Sequence, residues 1–507
     1  MNSIVPAILQ HPNILVGLCL AVIIGLYFYN NPMKHGSWFM MRRFINWFPL
    51  GMTYAFLYMG RYNLNVSKNA LGSLMSKEDL GLIFAAGTVT YAVSFLINGP
   101  LVDRIGGKRG IIIAALGASA ANILLGVLTW LLVMGKLKVN MVVAFSFLYS
   151  VNMYFQSYGA VSIIKVKAYW FHVRERGVFG AIFGALISIG TYFAFDWGQA
   201  IVDMTKANAT GGWLHNLLKT VFASENKPVD ATWAVFFIPA AILIVWVLID
   251  LWLIKDTPED ADFPYFDTHD ASSGQMHIKF TSLDLLKKVF ASPLMLLIAA
   301  IGLTSGIFRN GITQWYFVFA AEVKQPGAEF FGQHWGLLLM IFGIVGSFAG
   351  GMASDWWFQS RRGPPAAFWC AIVFLMTIVM AATLSSSPLI FGYVSLIIFM
   401  ASVGITSLMA GTAATDFGGR KATATCSGIV DGCTYVGSGI QSFSLGYLTT
   451  WNWHYWPFFL MPFALIGLFL AWKMWHELPA ATRKYIAEVE LKSEQKQGLT
   501  APGIALD

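Results

Sequence analysis

Apolar runs of about 20 residues recur along the whole of this 507-residue chain, and they constrain the fold more than any other feature. A helix that rises 1.5 Å per residue needs about 20 apolar residues to cross roughly 30 Å of hydrocarbon. Charged residues make up only 12% of the chain, whereas soluble domains contain about a quarter. The sequence therefore predicts an all-α, multi-pass membrane protein.

The runs number thirteen: one at residues 14–29, six between 46 and 254, and six that begin near 293, 335, 365, 388, 425 and 454. The first run is not a cleavable signal peptide, because nothing basic precedes it after the start Met and no small-residue cleavage site follows. The predicted organisation is an extra N-terminal transmembrane helix with its connector (1–42), a six-helix bundle (43–254), a cytoplasmic linker (255–292), a second six-helix bundle (293–476) and a cytoplasmic tail (477–507).

Basic residues favour one side of the membrane when the runs are threaded in this way. Of the 33 Lys and Arg residues, 23 fall in segments on the cytoplasmic side and eight in outside loops, while Arg61 and Arg309 lie within helices. The positive-inside rule then places the N-terminus outside and the C-terminus in the cytoplasm, and we expect a bacterial inner membrane. Loops that face anionic lipid explain the net charge of +7, so a nucleic-acid partner is unnecessary.

The two halves contain a degenerate internal repeat. The segment "GPLVDRIGGKRG" at 99–110 is matched by "GGMASDWWFQSRRG" at 350–363, and each follows the second helix of its half. Arg61 precedes Asp103 by 42 residues, and Arg309 precedes Asp355 by 46. The two arginines therefore occupy equivalent places, and a two-fold arrangement would make them face each other.

The first repeat resembles the cytoplasmic loop signature of the major facilitator superfamily, which implies two pseudo-symmetric bundles of six helices. Its glycines allow a tight turn, and Asp103 can cap a helix and pair with basic groups that separate when the cytoplasmic side opens. The alternative is a basic loop that only fixes topology. The candidate gating residues are Gly99, Asp103, Arg104, Gly106, Lys108, Arg109 and Asp355.

Within that superfamily, four further segments resemble the organophosphate:phosphate antiporter family, which includes glycerol-3-phosphate and hexose-6-phosphate transporters. They are "YAFLYMGRYNLNV", "YGAVSIIKVKAYWFHVRERG", "SGIFRNGITQW" and "DFGGRKATATCSGIVDGCTYVGSGIQ". The resemblance implies a carrier rather than an enzyme, without a cofactor. By this resemblance, the binding-site residues of the family correspond in this sequence to Tyr54, Tyr58, Arg61, Asn63, Arg309 and Tyr435.

The two intramembrane arginines favour an anion clamp. An arginine at bilayer depth costs at least about 2.5–3.5 kcal/mol on insertion scales, so it is rarely kept without a task. Its planar fork suits bidentate bonding to a phosphate oxyanion better than an ammonium does. The alternative is that each arginine pairs with an intramembrane acid, for which Asp196 and Asp431 are the candidates.

Nearby polar residues are ambiguous. The amides of Asn63, Asn310 and Gln314 can orient the guanidinium groups or bind substrate hydroxyls, or they can pack helices. Asp431 is either a protonatable coupling site or an arginine counter-ion, or it forms a helix–helix hydrogen bond among glycines. For Lys165 and the nearby Lys167, snorkelling to lipid headgroups is favoured over a place in the site.

Two positions depart from the family pattern. The family's lysine in helix 2 and histidine in helix 5 align with Phe95 and Ile187, so the pocket is less basic and more apolar. This argues against inorganic phosphate and for a bulkier organic anion with one acidic group and an apolar body.

The predicted function is secondary active transport of a small organic anion, with an organophosphate as the form that the resemblance implies. Counter-transported phosphate or protons would supply the energy. The alternative is a membrane sensor of a sugar phosphate that acts through a partner protein, which the extra helix would contact. The histidines show no metal-ligand spacing and no nucleotide-binding loop is present, so no metal or cofactor is predicted.

Overall fold

The computed structural model describes residues 11–29, 31–172, 175–206, 213, 216–217, 220, 230–268, 287, 290–356, 362–409 and 414–476. At residues 176–179, 181, 351–356 and 414–424 it describes the backbone alone. The regular structure in these ranges is helical throughout. Most of the predicted linker and all of the predicted tail lie outside the described residues.

One helix precedes two sets of six spans, as the sequence predicts. The extra helix is α1 (Pro12–Tyr29). The first set is α2 (Ser37–Leu71), α3 (Lys77–Ile105), α4 (Gly107–Val133), α5 (Met141–Trp170), α6 (Arg176–Tyr192) with its continuation through a π-helical turn (Phe193–Trp197) into α7 (Gly198–Met204), and α8 (Ala234–Leu253). The second set is α9 (Pro293–Val323), α10 (Pro326–Gln333) with α11 (Trp335–Trp356), α12 (Gly363–Thr383), α13 (Pro388–Thr406), α14 (Ala414–Trp451) and α15 (Tyr455–Lys473).

Polarity separates the helices of this fold into two groups. Among the described helices, eight are long and apolar enough to cross a membrane, or nine if α10 and the following segment, bent by 72°, form one span. Helices α2, α5 and α14 are long but do not meet this test. Each of the three carries buried polar side chains, including Arg61, Gln156 and Gln441. These three helices, the least typical of a membrane span, all contribute residues to the candidate site described below.

Local sequence determines where several helices begin. Ser76 and Asp79 form a reciprocal capping box at the start of α3, with bonds of 2.9 and 3.0 Å. Asn140 accepts a backbone hydrogen bond at 3.1 Å from the third residue of α5. Between α3 and α4 the backbone of Gly106 has a φ of 90°, which favours glycine. Helices α3 and α4 can therefore reverse direction within one residue.

The bundles meet along two helix pairs, α3 with α14 and α6 with α11. On the first pair, a Cβ added to Gly81 would lie 2.9 Å from the Cα of Gly446. On the second, a Cβ added to Gly343 would lie 3.0 Å from the Cβ of Ser188. Small residues allow backbones to approach closely where lipid offers no hydrophobic driving force. These glycines therefore hold the two bundles at close range around the site.

Helix α1 is attached to the first bundle at both ends. At one end, Asn13 accepts hydrogen bonds from Tyr192 at 2.8 Å and from the indole of Trp197 at 3.0 Å. At the other end, the Tyr27 hydroxyl accepts from Arg43 at 2.9 Å and donates to a backbone carbonyl of α2 at 2.8 Å. Most other side chains of α1 are exposed. The extra helix is thus an added part of the first bundle.

Candidate functional site

A cavity of about 150 Å³ lies between the two bundles. Its wall comes from α2, α3, α5 and α6 on one side and from α9, α11, α13 and α14 on the other. Eight of the residues singled out in the sequence line it: Tyr54, Tyr58, Phe95, Lys167, Ile187, Arg309, Asp431 and Tyr435.

Arg309 reaches the cavity from α9. Its guanidinium donates one hydrogen bond, at 3.4 Å, to the hydroxyl of Tyr435, whose ring centroid lies 5.8 Å from the guanidinium carbon. No acidic side chain in the described part of the chain lies within ion-pair distance of it. Arg309 is only partly buried. Most of its donors are therefore available to a solute in the cavity.

Arg61 lies behind the cavity wall and is only 2% exposed. Its Nε donates to Gln156 at 3.0 Å, one terminal nitrogen donates to Tyr91 at 3.0 Å, and the other donates to Tyr435. The rings of Tyr58 and Tyr91 lie 4.7 and 4.8 Å from its guanidinium carbon. Neutral hydroxyls, an amide and aromatic faces thus surround this charge.

The two arginines converge on one hydroxyl but are not equivalent. Tyr435 accepts from both guanidinium groups and stands between the enclosed Arg61 and the cavity-facing Arg309. Among the described residues, neither arginine forms an ion pair with Asp196 or Asp431, the acids that the alternative interpretation requires. Asp196 instead accepts from the backbone N–H of Leu337 at 3.0 Å, at the start of α11.

Three predicted substrate contacts lie elsewhere, because other helices already bind their amides. Asn63 donates to Asn122 at 2.7 Å, and Asn310 accepts from Tyr62 at 2.8 Å. Gln314 accepts from Gln441 at 2.9 Å. None of the three lies on the cavity wall. All three amides bond neighbouring helices in this structure, as the helix-packing interpretation expects, and a direct contact with substrate stays a prediction.

The snorkelling interpretation of two lysines is also wrong. Lys165 and Lys167 are each only 5% exposed. Lys165 forms an ion pair with Asp103 at 2.9 Å, and Lys167 lines the cavity. The partner of Lys165 lies on another helix, α3, so the order of residues on α5 does not reveal it.

Comparison with known proteins identifies the family. The family model described as Major Facilitator Superfamily matches residues 50–442. The chain belongs to the Major Facilitator Superfamily. It is therefore a multi-pass integral membrane protein, and the prediction that it is not an enzyme is confirmed.

Curated relatives within the superfamily share low but extended similarity with this chain. A glycerol-3-phosphate transporter of Bacillus subtilis is 25% identical over 75% of this chain and 80% of its own. The membrane sensor protein UhpC of Escherichia coli is 23% identical over 79% and 84%. A probable hexose phosphate transport protein of Chlamydia trachomatis is 20% identical over 89% and 94%. The predicted resemblance to the organophosphate:phosphate antiporter family is confirmed.

A solved structure of the same superfamily fold covers 90% of this chain and 99% of its own, with a TM-score of 0.61 and 14% identity. It is a bacterial homologue of the human lysosomal transporter Spinster in an inward-facing and unoccupied conformation. At this identity the likeness concerns the fold alone.

The superfamily loop signature joins the bundles through Asp103. One carboxylate oxygen accepts from Lys165 at 2.9 Å, and the other accepts from the backbone N–H and hydroxyl of Thr425 at 3.1 and 2.8 Å. Lys165 belongs to the first bundle and Thr425 to the second. Asp103 thus sits on the bundle interface, where a latch would have to act.

The remaining signature residues shape the turn between α3 and α4. Asp256, just after α8, accepts from the backbone N–H of Lys108 at 2.8 Å, and burial raises the pKa of its carboxyl. Gly99 is buried, while Arg104 and Arg109 are exposed. The side chain of Asp355, the counterpart of Asp103, lies outside the described residues.

Residues that the sequence did not single out complete the surroundings of Arg61. Gln156 is fully buried on α5, and Tyr91 is fully buried on α3, one turn before Phe95. A buried amide within an apolar run is an available signal for Gln156. Tyr91 carries no comparable signal, since tyrosine is common in these helices.

Proposed function

We propose that this protein is a secondary transporter that moves a small organophosphate anion by alternating access between its two bundles. The observation that carries the proposal is Arg309, a guanidinium on the wall of the interbundle cavity with no acidic partner among the described residues. Relatives of extended similarity include transporters of glycerol-3-phosphate and, probably, of hexose phosphate.

The chemistry of the cavity suits a phosphate ester. A guanidinium presents paired N–H donors that match two phosphate oxygens, and such charge-assisted bonds are about twice as strong as neutral ones. The hydroxyls of Tyr58, Tyr62 and Thr313 also line the cavity. Phe95 and Ile187 supply apolar wall, which fits the organic part of an ester better than inorganic phosphate alone.

Alternating access requires contacts that can break on either side of the cavity. At the ends of α3 and α9 that we assign to the outside, Lys77 pairs with Glu322 at 2.9 Å, and at the depth of the cavity Tyr62 bonds Asn310 at 2.8 Å. On the cytoplasmic side, Asp103 bonds Thr425. We propose that anion binding at Arg309 shifts the equilibrium between a state in which the outside contacts are broken and a state in which the cytoplasmic contacts are broken.

The membrane and the energy source complete the proposal. The distribution of basic loops supports a bacterial inner membrane with the N-terminus outside and the C-terminus in the cytoplasm. Counter-transported phosphate or protons would drive uptake, and anionic lipid would contact the basic loops.

Flux in proteoliposomes tests the proposal. Vesicles loaded with glycerol-3-phosphate or glucose-6-phosphate should take up the same labelled ester, and Arg309→Lys should abolish this uptake. Arg42→Lys is the matched control, because Arg42 donates to the carbonyl of Leu253 at 3.0 Å, outside the cavity. Vesicles that exchange no phosphorylated or carboxylated anion, although ligand still stabilises the protein, would exclude transport.

A sensor is the second candidate function. The similarity to the membrane sensor protein UhpC supports it, and the attachment of α1 to the first bundle at both ends offers a partner protein a fixed surface. Ligand binding without flux would favour the sensor, since a sensor must bind but need not release its ligand across the membrane.

A further inference from the structure

Asp431 shares the cavity with Arg309 but does not neutralise it. Both residues line the wall, from α14 and α9, and no ion pair joins them. Within the described part of the chain, the carboxylate of Asp431 accepts one hydrogen bond, from Ser427 at 3.4 Å on its own helix. The cavity wall therefore carries the negatively charged carboxylate of Asp431 beside the positively charged guanidinium of Arg309, and Lys167 adds a second cation.

The helix-packing explanation of Asp431 does not account for this position. Its neighbour Gly432 packs on α3, where an added Cβ would lie 3.1 Å from the carbonyl of Ala92. Gly437 packs against the carbonyl of Leu303 on α9. The glycines make the interhelical contacts, whereas the Asp431 carboxylate reaches the cavity and bonds no other helix among the described residues.

Aromatic rings line the same cavity as Asp431. Phe95 lines it from α3, and Tyr435 lines it from α14. The Phe95 ring is 4.6 Å from that of Tyr91 and 6.3 Å from that of Tyr435, which is one turn after Asp431. A carboxylate beside aromatic rings is a suitable environment for an ammonium group.

We propose that the transported organophosphate is zwitterionic and carries an ammonium group that binds Asp431 while its phosphate binds Arg309. This inference rests on the proposed function and names its substrate class. A purely anionic ester would be repelled by Asp431 inside a low-dielectric cavity, whereas the ammonium group of a zwitterion provides Asp431 with a partner of opposite charge.

Binding of a matched pair of esters tests the inference. Phosphoethanolamine and ethyl phosphate differ only by the ammonium group, and calorimetric titration of purified full-length protein compares them directly. We expect wild type to bind phosphoethanolamine at least about tenfold more tightly, since hydrogen bonds to charged groups have effects of this size. Asp431→Asn should remove this preference and keep the affinity for ethyl phosphate, and Arg309→Lys should weaken both.

Asp203→Asn is the control, because Asp203 is exposed and pairs with Lys206 away from the cavity. If wild type binds ethyl phosphate as tightly as phosphoethanolamine or more tightly, the proposal of a zwitterionic substrate is overturned, whereas the proposal of an organophosphate transporter is not. A preference that survives in Asp431→Asn also overturns it. If wild type binds neither ester, the zwitterion proposal fails, and exchange of glycerol-3-phosphate or glucose-6-phosphate in proteoliposomes decides the proposed transport separately. The wild-type comparison decides even if Asp431→Asn does not fold.

Discussion

The two intramembrane arginines hold matching places in the sequence and different places in the structure. Arg61 is enclosed, and all three of its nitrogens donate to Gln156, Tyr91 and Tyr435. Arg309 is open to the cavity and has one bond of 3.4 Å. The two pseudo-symmetric halves therefore each contribute one arginine, and the packing around each arginine decides which of the two faces the cavity.

The difference makes the site asymmetric in this conformation. A phosphate that enters the cavity meets Arg309 directly, but it meets Arg61 only if it displaces the hydroxyl of Tyr435. Tyr435 then acts as a neutral substitute for a substrate oxygen. A clamp that uses both arginines would be assembled during closure rather than preformed.

Among the variants considered, Arg309→Lys should reduce ester affinity the most. A lysine cannot supply the paired donors of a guanidinium, so we expect phosphate-ester affinity to fall at least about 100-fold, which corresponds to about 2.7 kcal/mol. Thermal stability should change little, because among the described residues the Arg309 guanidinium makes one long hydrogen bond. Titration and melting of the same preparation check both parts, and affinity within threefold of wild type would contradict the assignment.

Arg61→Lys should lower thermal stability more than ester affinity, the reverse of the effect expected for Arg309→Lys. It leaves buried acceptors on Gln156, Tyr91 or Tyr435 without a donor, and each such group costs about 1–3 kcal/mol. We expect the melting temperature to fall further than in Arg309→Lys and ester affinity to fall by about tenfold or less. If Arg61→Lys lost more affinity than Arg309→Lys while it kept its stability, the comparison would be reversed.

Tyr435→Phe tests the role of the hydroxyl that Arg61 and Arg309 share. It keeps the ring and removes the hydroxyl that accepts from both arginines. Stability should fall by about 1–2 kcal/mol, since Arg61 loses a partner, while ester affinity should stay within about threefold. Tyr316→Phe is a control, because the buried Tyr316 hydroxyl has no hydrogen-bond partner in the part of the chain that the structure describes. A loss of affinity comparable to that of Arg309→Lys would assign the substrate contact to the hydroxyl.

Glu175→Gln should have the smallest effect on binding. Arg43, unlike Arg61 and Arg309, has an acidic partner: Glu175 accepts from it at 2.9 and 3.0 Å. Burial alone would raise the pKa of the Glu175 carboxyl, but hydrogen bonds from His35 and Arg43 lower it to about 2.

Because the folded-state pKa of Glu175 lies below the usual 4.5, its contribution to stability is present above that value and is lost as the pH falls toward 2. We therefore expect Glu175→Gln to melt lower than wild type at pH 6 and the difference to shrink at pH 3. Ester affinity at pH 7 should be unchanged. A melting difference that is constant with pH would contradict this account of the pair.

The sequence predicts much of this molecule because membrane spans are local features. The thirteen runs, the repeat and the place of Arg309 follow from apolar length and motif spacing. The enclosure of Arg61 does not, because Tyr91 and Tyr435 come from helices far apart in the chain. The inward turn of Lys165 likewise depends on Asp103 across a helix interface, where the sequence offered only a favourable route to lipid.

Chemical modification of the two arginines in the wild-type protein tests the central claim most directly. Phenylglyoxal reacts with accessible guanidinium groups, and mass spectrometry locates the modified residues without any substitution. The account predicts that Arg309 is modified, that glycerol-3-phosphate or phosphoethanolamine protects it, and that Arg61 remains unmodified over the same period. Modification of Arg61 as fast as Arg309, or no protection of Arg309 by either ester, would contradict it.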